Sequence, residues 1–231
     1  TKIDRKNSKI LTKDIIKSWI NKFFNYSPEV WDVEITSKRI IAWTSNTDIT
    51  LQDSEKSYKE KFFLSLNKQI NFLVKNLKTL SNDSTKIICC SAIILSGIVF
   101  SENNSNQKFG IKELEKIVKI YFDKNGFPKS RNPEELFICL KYLILIREWF
   151  KEAHISIPEF LSDIIYKCGV CYSMLSSLNK QFPLFNGSTE IDHKNYDIFL
   201  KDHKYKFVCK EKEIAELVKI RKKKFDLFMD C

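Results

Sequence analysis

Two stretches constrain the fold of this chain most. Residues 87–100 and 136–149 are apolar on nearly every face of a helix. A helix without a polar face must be covered all round by other elements. The chain therefore needs a layered helical architecture with these two stretches as inner helices. The most apolar run, 87–100, falls short of the roughly 18–20 residues that a bilayer demands. It is also interrupted by Cys89, Cys90, Ser91, Ser96 and Gly97. No membrane span is expected, and no segment reads as a signal peptide.

The covering helices show as three-to-four-residue spacing of apolar side chains. Helices are expected over about 12–24, 37–45, 54–80, 84–100 and 111–123, then from Pro133, and from Pro158 to about 178. Thr12 suits an N-cap, and Gly126 suits the C-terminal cap of 111–123. Asn132, Pro133, Glu134 and Glu135 make a complete helix start signal. Short polar connections pair such helices antiparallel, as in a helical hairpin array or an α/α toroid. No fixed repeat supports a short-period solenoid. With 5 Gly and 5 Pro, the chain lacks the punctuation of an all-β sandwich. After residue 182 the pattern changes. A loop at 181–190 and a helix over 193–201 lead to β-like runs at 205–209 and 225–229, while 211–220 fits helix or strand. The end of the chain reads as the start of a β domain.

The formal charge is +10, nearly all of it from lysine. Lys, Ile and Asn are abundant and Ala is scarce, the signature of an AT-biased genome, so mutational bias and a polyanionic partner both account for the charge. The seven cysteines are odd in number and most lie inside apolar patterns. Reduced thiols packed as small hydrophobes fit better than a disulfide framework. The chain starts at Thr1 without Met and stops after an alternating run, so it reads as cut at both ends.

The polar loop 123–135 lies between two strong helices and is a natural place for function, although capping alone explains Asn132 and Gly126. The loop 181–190 contains the turn dipeptide Asn186-Gly187, which either only turns the chain or lines a groove. Cys168 and Cys171 have redox spacing but sit mid-helix, without the N-terminal help that a thiolate needs. His154, His193 and His203 show no zinc spacing with the cysteines, and no metal or cofactor is expected. Phosphate-loop, GxSxG and HExxH motifs are absent. The basic run 221–224 reads as a solvated hairpin turn rather than a nucleic-acid contact.

Several segments, in order, resemble the alphaproteobacterial branch of the heparinase II/III family. They are Trp31 to Trp43 (WDVEITSKRIIAW), Phe62 to Leu77, Asn125 to Leu136 (NGFPKSRNPEEL), Phe185-Asn186-Gly187, and Phe225 to Cys231 (FDLFMDC). The resemblance implies an incomplete α/α toroid of antiparallel helix pairs over 1–190. It also implies a linker and the first strands of an antiparallel β-sandwich domain over 191–231, with the rest of that domain as a partner from the same chain. The implied activity is a polysaccharide lyase reaction, β-elimination on an anionic uronic-acid polymer. Asn132 and Arg131 then hold the uronate carboxylate, and Lys129, Ser130 and Asn186 line the anionic cleft. The sequence departs from the branch at Pro128, where the branch has His. It departs again at Glu134, Glu135 and Leu136, near where lyases of the wider family place a Tyr. Tyr121, Tyr166 and Tyr172 match no family motif. A non-catalytic basic scaffold for an anionic polymer or protein is the alternative. A glycosidase would need two opposed carboxylates, for which Asp123, Glu134 and Glu135 are available. The compartment reads as bacterial cytoplasm or periplasm.

Overall fold

The computed structural model describes residues 2–100, 105–176, 182–223 and 225–230. Its contacts divide the chain into two compact units: Thr1–Ser81 with Ile88–Ile111, and Asn82–Ile87 with Lys112–Cys231. No described helix is long and apolar enough to cross a membrane.

The first unit contains α1 (Lys2–Phe23), α2 (Val33–Ser45), the single turn α3 (Thr47–Thr50) and α4 (Lys56–Asn76), which tightens into a 3-10 turn at Leu77–Thr79. Helix α1 starts well before the expected Thr12. The Thr12 hydroxyl donates back to Ser8 O at 2.8 Å, so Thr12 lies inside the helix rather than capping it. Asp32 caps α2 by accepting from Ile35 N at 3.0 Å. The unit is held by aromatic packing of Trp19 on Trp43 and of Trp43 on Phe62, with centroids 5.3 and 5.4 Å apart. Arg39 lies 4.1 Å over the Trp19 ring and donates to Gln69 Oε1 and Val30 O. Burial brings its pKa down to about 10.

Helix α5 (Ser84–Phe100) begins in the second unit and continues in the first. It keeps the expected bounds, and Ile87, Ile88, Ile93 and Ile94 are at most 1% exposed. Helix α6 (Ser105–Tyr121) starts earlier than expected and stops before Gly126. The described part of the second unit continues with α7 (Pro133–Glu152), α8 (Glu159–Leu175) and α9 (His193–Asp202). Helices α7 and α8 pack together.

Three short strands follow: β1 (Glu213–Ile214), β2 (Leu217–Arg221) and β3 (Asp226–Asp230), antiparallel in the order β1-β2-β3. The ambiguous segment 211–220 is therefore a hairpin. Ile214 pairs with Leu217 across a turn in which Ala215 and Glu216 both take positive φ, +54° and +61°. That double left-handed turn matches strand twist but favours Asn and Gly, which is why the sequence does not announce it. The expected run at 205–209 is not a strand. A Cβ on Gly169 would lie 2.1 Å from the Phe207 ring, so glycine in α8 lets that ring dock. Tyr205 bonds Arg147 and Glu148 of α7, both at 2.9 Å. Side-chain docking on α7 and α8 replaces strand pairing there.

Candidate functional site

Residues 122–132 form a tight loop held by its own backbone. Phe122 and Pro128 make an isolated antiparallel bridge. Asp123 Oδ1 accepts from Asn125 N at 2.9 Å and from Phe127 N at 2.8 Å. Gly126 does not cap α6. It turns this loop at φ +87°, and a Cβ there would lie 2.4 Å from Lys167 Cβ. The loop thus rests directly on α8. Cys168 and Cys171 donate their thiols to Gly126 O at 3.1 Å and Asn125 O at 3.3 Å. Burial pushes the Cys168 thiol well above its ordinary range and Cys171 up to about 12. Neither is a ready nucleophile, and the pair serves to seat the loop.

Asn132 caps α7 as expected, its Oδ1 accepting from Glu134 N at 2.8 Å and Glu135 N at 3.3 Å. Its Nδ2 donates to Asn186 O at 3.1 Å, and Asn186 Nδ2 donates to Arg131 O at 3.2 Å. This reciprocal amide exchange joins the loops 122–132 and 182–190. Glu134 Oε2 adds to it by accepting from Thr189 N at 2.9 Å and Thr189 Oγ1 at 2.8 Å. Arg131 and Asn186 both take left-handed backbone, φ +57° and +52°, which asparagine adopts readily but arginine only where its surroundings fix it.

The sequence-predicted residues separate by environment. Arg131, Asn132 and Asn186 come together. Arg131 Nη1 also meets Glu216 Oε2 of the β1–β2 turn at 2.6 Å, with side chains 22% and 75% exposed. Lys129 is exposed beside them. Ser130 is exposed too, its hydroxyl donating to Glu135 Oε2. The same oxygen accepts from the Tyr121 hydroxyl at 2.5 Å. Burial, then the neighbouring Cys139 and Glu135, raise the Tyr121 pKa far above its ordinary value. Tyr121 is thus a fixed proton donor to Glu135.

Sequence reasoning missed Glu216 and Thr189 as partners of this loop. No local signal marks them, because they lie 85 and 55 positions from the residues they meet. A second missed feature is a cavity of about 470 Å³ bordered by Glu134, Phe137, Lys141, Glu190, Tyr196 and Phe199. Phe137 meets the Phe182 ring edge-on and the His193 ring at a tilt, and Phe182 and His193 stack with centroids 4.4 Å apart. Burial holds His193 below the ordinary imidazole range, although Asp197, Asp192 and Glu190 pull the other way. Among the described residues no three His, Cys, Asp or Glu side chains gather as a metal site.

No family model and no curated protein matches the chain. Solved structures do. A heparinase III structure superposes with a TM-score of 0.67 at 15% identity, covering 82% of this chain and 32% of its own. The structure of a mutant of the heparan sulfate lyase HepC from Pedobacter heparinus gives 0.67 at 13% identity, covering 89% and 37%. The chain spans about a third of the length of these neighbours. At such identity the likeness shows the fold: mainly α, in keeping with a heparinase-like helical toroid followed by the opening strands of a β domain.

Proposed function

We propose that this protein is a polysaccharide lyase that performs β-elimination on an anionic, uronic-acid-containing polysaccharide, at the surface formed by the loops 122–132 and 182–190. The observation that carries the reading is the pair of amide bonds, Asn132 Nδ2 to Asn186 O and Asn186 Nδ2 to Arg131 O, which joins two loops about 54 positions apart into one polar surface flanked by Arg131 and Lys129. The heparinase-like fold gives that surface its context.

β-Elimination breaks the C5–H bond and the C4–O glycosidic bond of the uronate and forms a C4–C5 double bond. The C5 proton leaves to a base, and the departing glycosidic oxygen takes a proton from an acid. Negative charge develops on the uronate carboxylate and is stabilised by fixed donors. Arg131 supplies guanidinium charge beside that carboxylate. Asn132 supplies its second Nδ2 hydrogen, held in direction by the cap at its Oδ1. Lys129 adds a point charge, and Ser130 and Asn186 shape the loop that presents them. In this reading residues 1–190 form the toroid, and 191–231 lead into a β domain of the same chain that contributes the remaining proton-transfer groups. One observation favours a non-catalytic scaffold instead: Arg131 already holds a carboxylate, that of Glu216.

The test uses the full-length gene product and a panel of uronate polymers, followed by the ultraviolet absorbance of the unsaturated uronate. Asn132→Asp keeps the helix cap and removes the Nδ2 donor. It is expected to cut the elimination rate about 100-fold or more with helix content unchanged. Elimination at the wild-type rate in this variant takes the site away from Asn132. A folded wild-type protein inert on every polymer leaves the scaffold reading.

A further inference from the structure

The first unit carries a basic groove that the loop chemistry does not use. Helices α1 and α4 pack against each other, and two hollows open along their seam. One, of about 50 Å³, lies between Lys17 and Asn21 of α1 and Tyr58 and Lys61 of α4. The other, of about 400 Å³, lies beyond the end of α1, where Asn25, Tyr26 and Trp31 face Lys68, Asn71 and Lys75. In this second hollow Lys68 Nζ sits 3.7 Å from the centroid of the Phe24 ring and donates to Asn25 Oδ1 at 2.8 Å. Residues 17–25 thus meet residues 58–68 in the same order, so the two helices run the same way.

Lys61, Lys68 and Lys75 recur every seven residues, which puts them on one face of α4 with a rise of about 10 Å per step. All three are exposed, as is Lys17. Neither hollow is lined by a carboxylate. The amides of Asn21, Asn25 and Asn71 line the same hollows. The Tyr26 ring is 61% exposed while resting on the Trp31 and Phe72 rings, 6.1 and 5.7 Å away.

We infer that the α1–α4 groove is a binding track for an extended anionic polysaccharide. Each ammonium meets a carboxylate or sulfate as a point charge. The amides take sugar hydroxyls, and the exposed Tyr26 ring takes the apolar C–H face of a sugar. A single-stranded nucleic acid fits the groove less well. It needs successive open ring faces for successive bases, and of the lining aromatics only Tyr26 is widely exposed. Arginine is also absent from both linings. The ligand class follows from the groove's own chemistry. That it is the polymer acted on at the loops rests on the function proposed above.

The test is fluorescence anisotropy of the full-length protein with an end-labelled heparan sulfate oligosaccharide, and with labelled poly(U) as the competing class, over a range of salt. Lys61→Gln, Lys68→Gln and Lys75→Gln together are expected to weaken oligosaccharide binding about tenfold or more and to flatten its salt dependence. Replacing the exposed Lys194, Lys201 and Lys206 by Gln removes the same charge and is expected to weaken it far less. The Lys→Arg triple at 61, 68 and 75 should restore binding, and Tyr26→Ala should weaken it several-fold even where salt has screened the charges. Equal losses in the two Gln triples, no loss in the groove triple, or tighter binding of poly(U) than of the oligosaccharide each overturn the proposal. Groove binding without elimination activity sinks the lyase reading alone. Elimination with an unaltered groove triple sinks the track alone.

Discussion

A methyl group on Gly126 would lie 2.4 Å from Lys167 Cβ and 2.9 Å from Cys168 N, on backbone at φ +87°. The loop would have to lift from α8, and two thiol contacts would go with it. Gly126→Ala is expected to cost about 2–4 kcal/mol, read as a lowered denaturant midpoint with unchanged slope. The sequence shows that Gly126 turns the chain but not what it turns: the cap of α6 and the turn of a loop resting on α8 present the same residue. Asn132 is the opposite case, because its capping neighbours Pro133, Glu134 and Glu135 stand next to it and declare it. The other half of its role, the bond to Asn186, depends on where a second loop lands.

Helices were legible where burial is continuous or capping is local. Helix α5 keeps its expected bounds because nearly all of its faces are buried, and α7 starts where its cap says. Helix α1 begins earlier than its apolar stripe, and Thr12 bonds backwards inside it instead of capping it. The segment 205–209 alternates like a strand yet spends its side chains on α7 and α8. Helix α9 carries a pH prediction at its first residue. His193 Nδ1 is buried without a hydrogen-bond partner among the described residues, and burial lowers its pKa. The unfolded chain then binds a proton at higher pH than the folded one. Stability contributed by the neutral ring is present above about 6.5 and is lost as pH falls below that value. His193→Phe keeps the stack on Phe182 and should flatten the fall in thermal midpoint between neutral and mildly acidic pH. An equal fall in both proteins assigns the acid sensitivity to other groups.

Across the whole chain the mainly helical class followed from two apolar runs and scarce glycine and proline, while the loop surface assembled from distant segments did not. The cysteines offer a test at this scale. Cys89, Cys90, Cys139, Cys168 and Cys171 are buried and Cys209 is partly exposed. A short alkylation pulse in water is expected to modify Cys209 among these six, with the other five reacting as denaturant opens the chain. Early reaction of Cys168 or Cys171 would show that the loop lifts from α8 without global opening. The long-range bonds of the loop surface also set an order of events. Asn132 meets Asn186 across 54 positions, and Arg131 meets Glu216 across 85. Each closes a long span of chain, whose entropy cost falls due before the contact returns anything. Helices form from neighbours, whereas these pairs wait for α7, α8 and the β1–β2 turn to be in place. During folding the surface proposed for chemistry is therefore expected to be completed late, after most of the secondary structure exists.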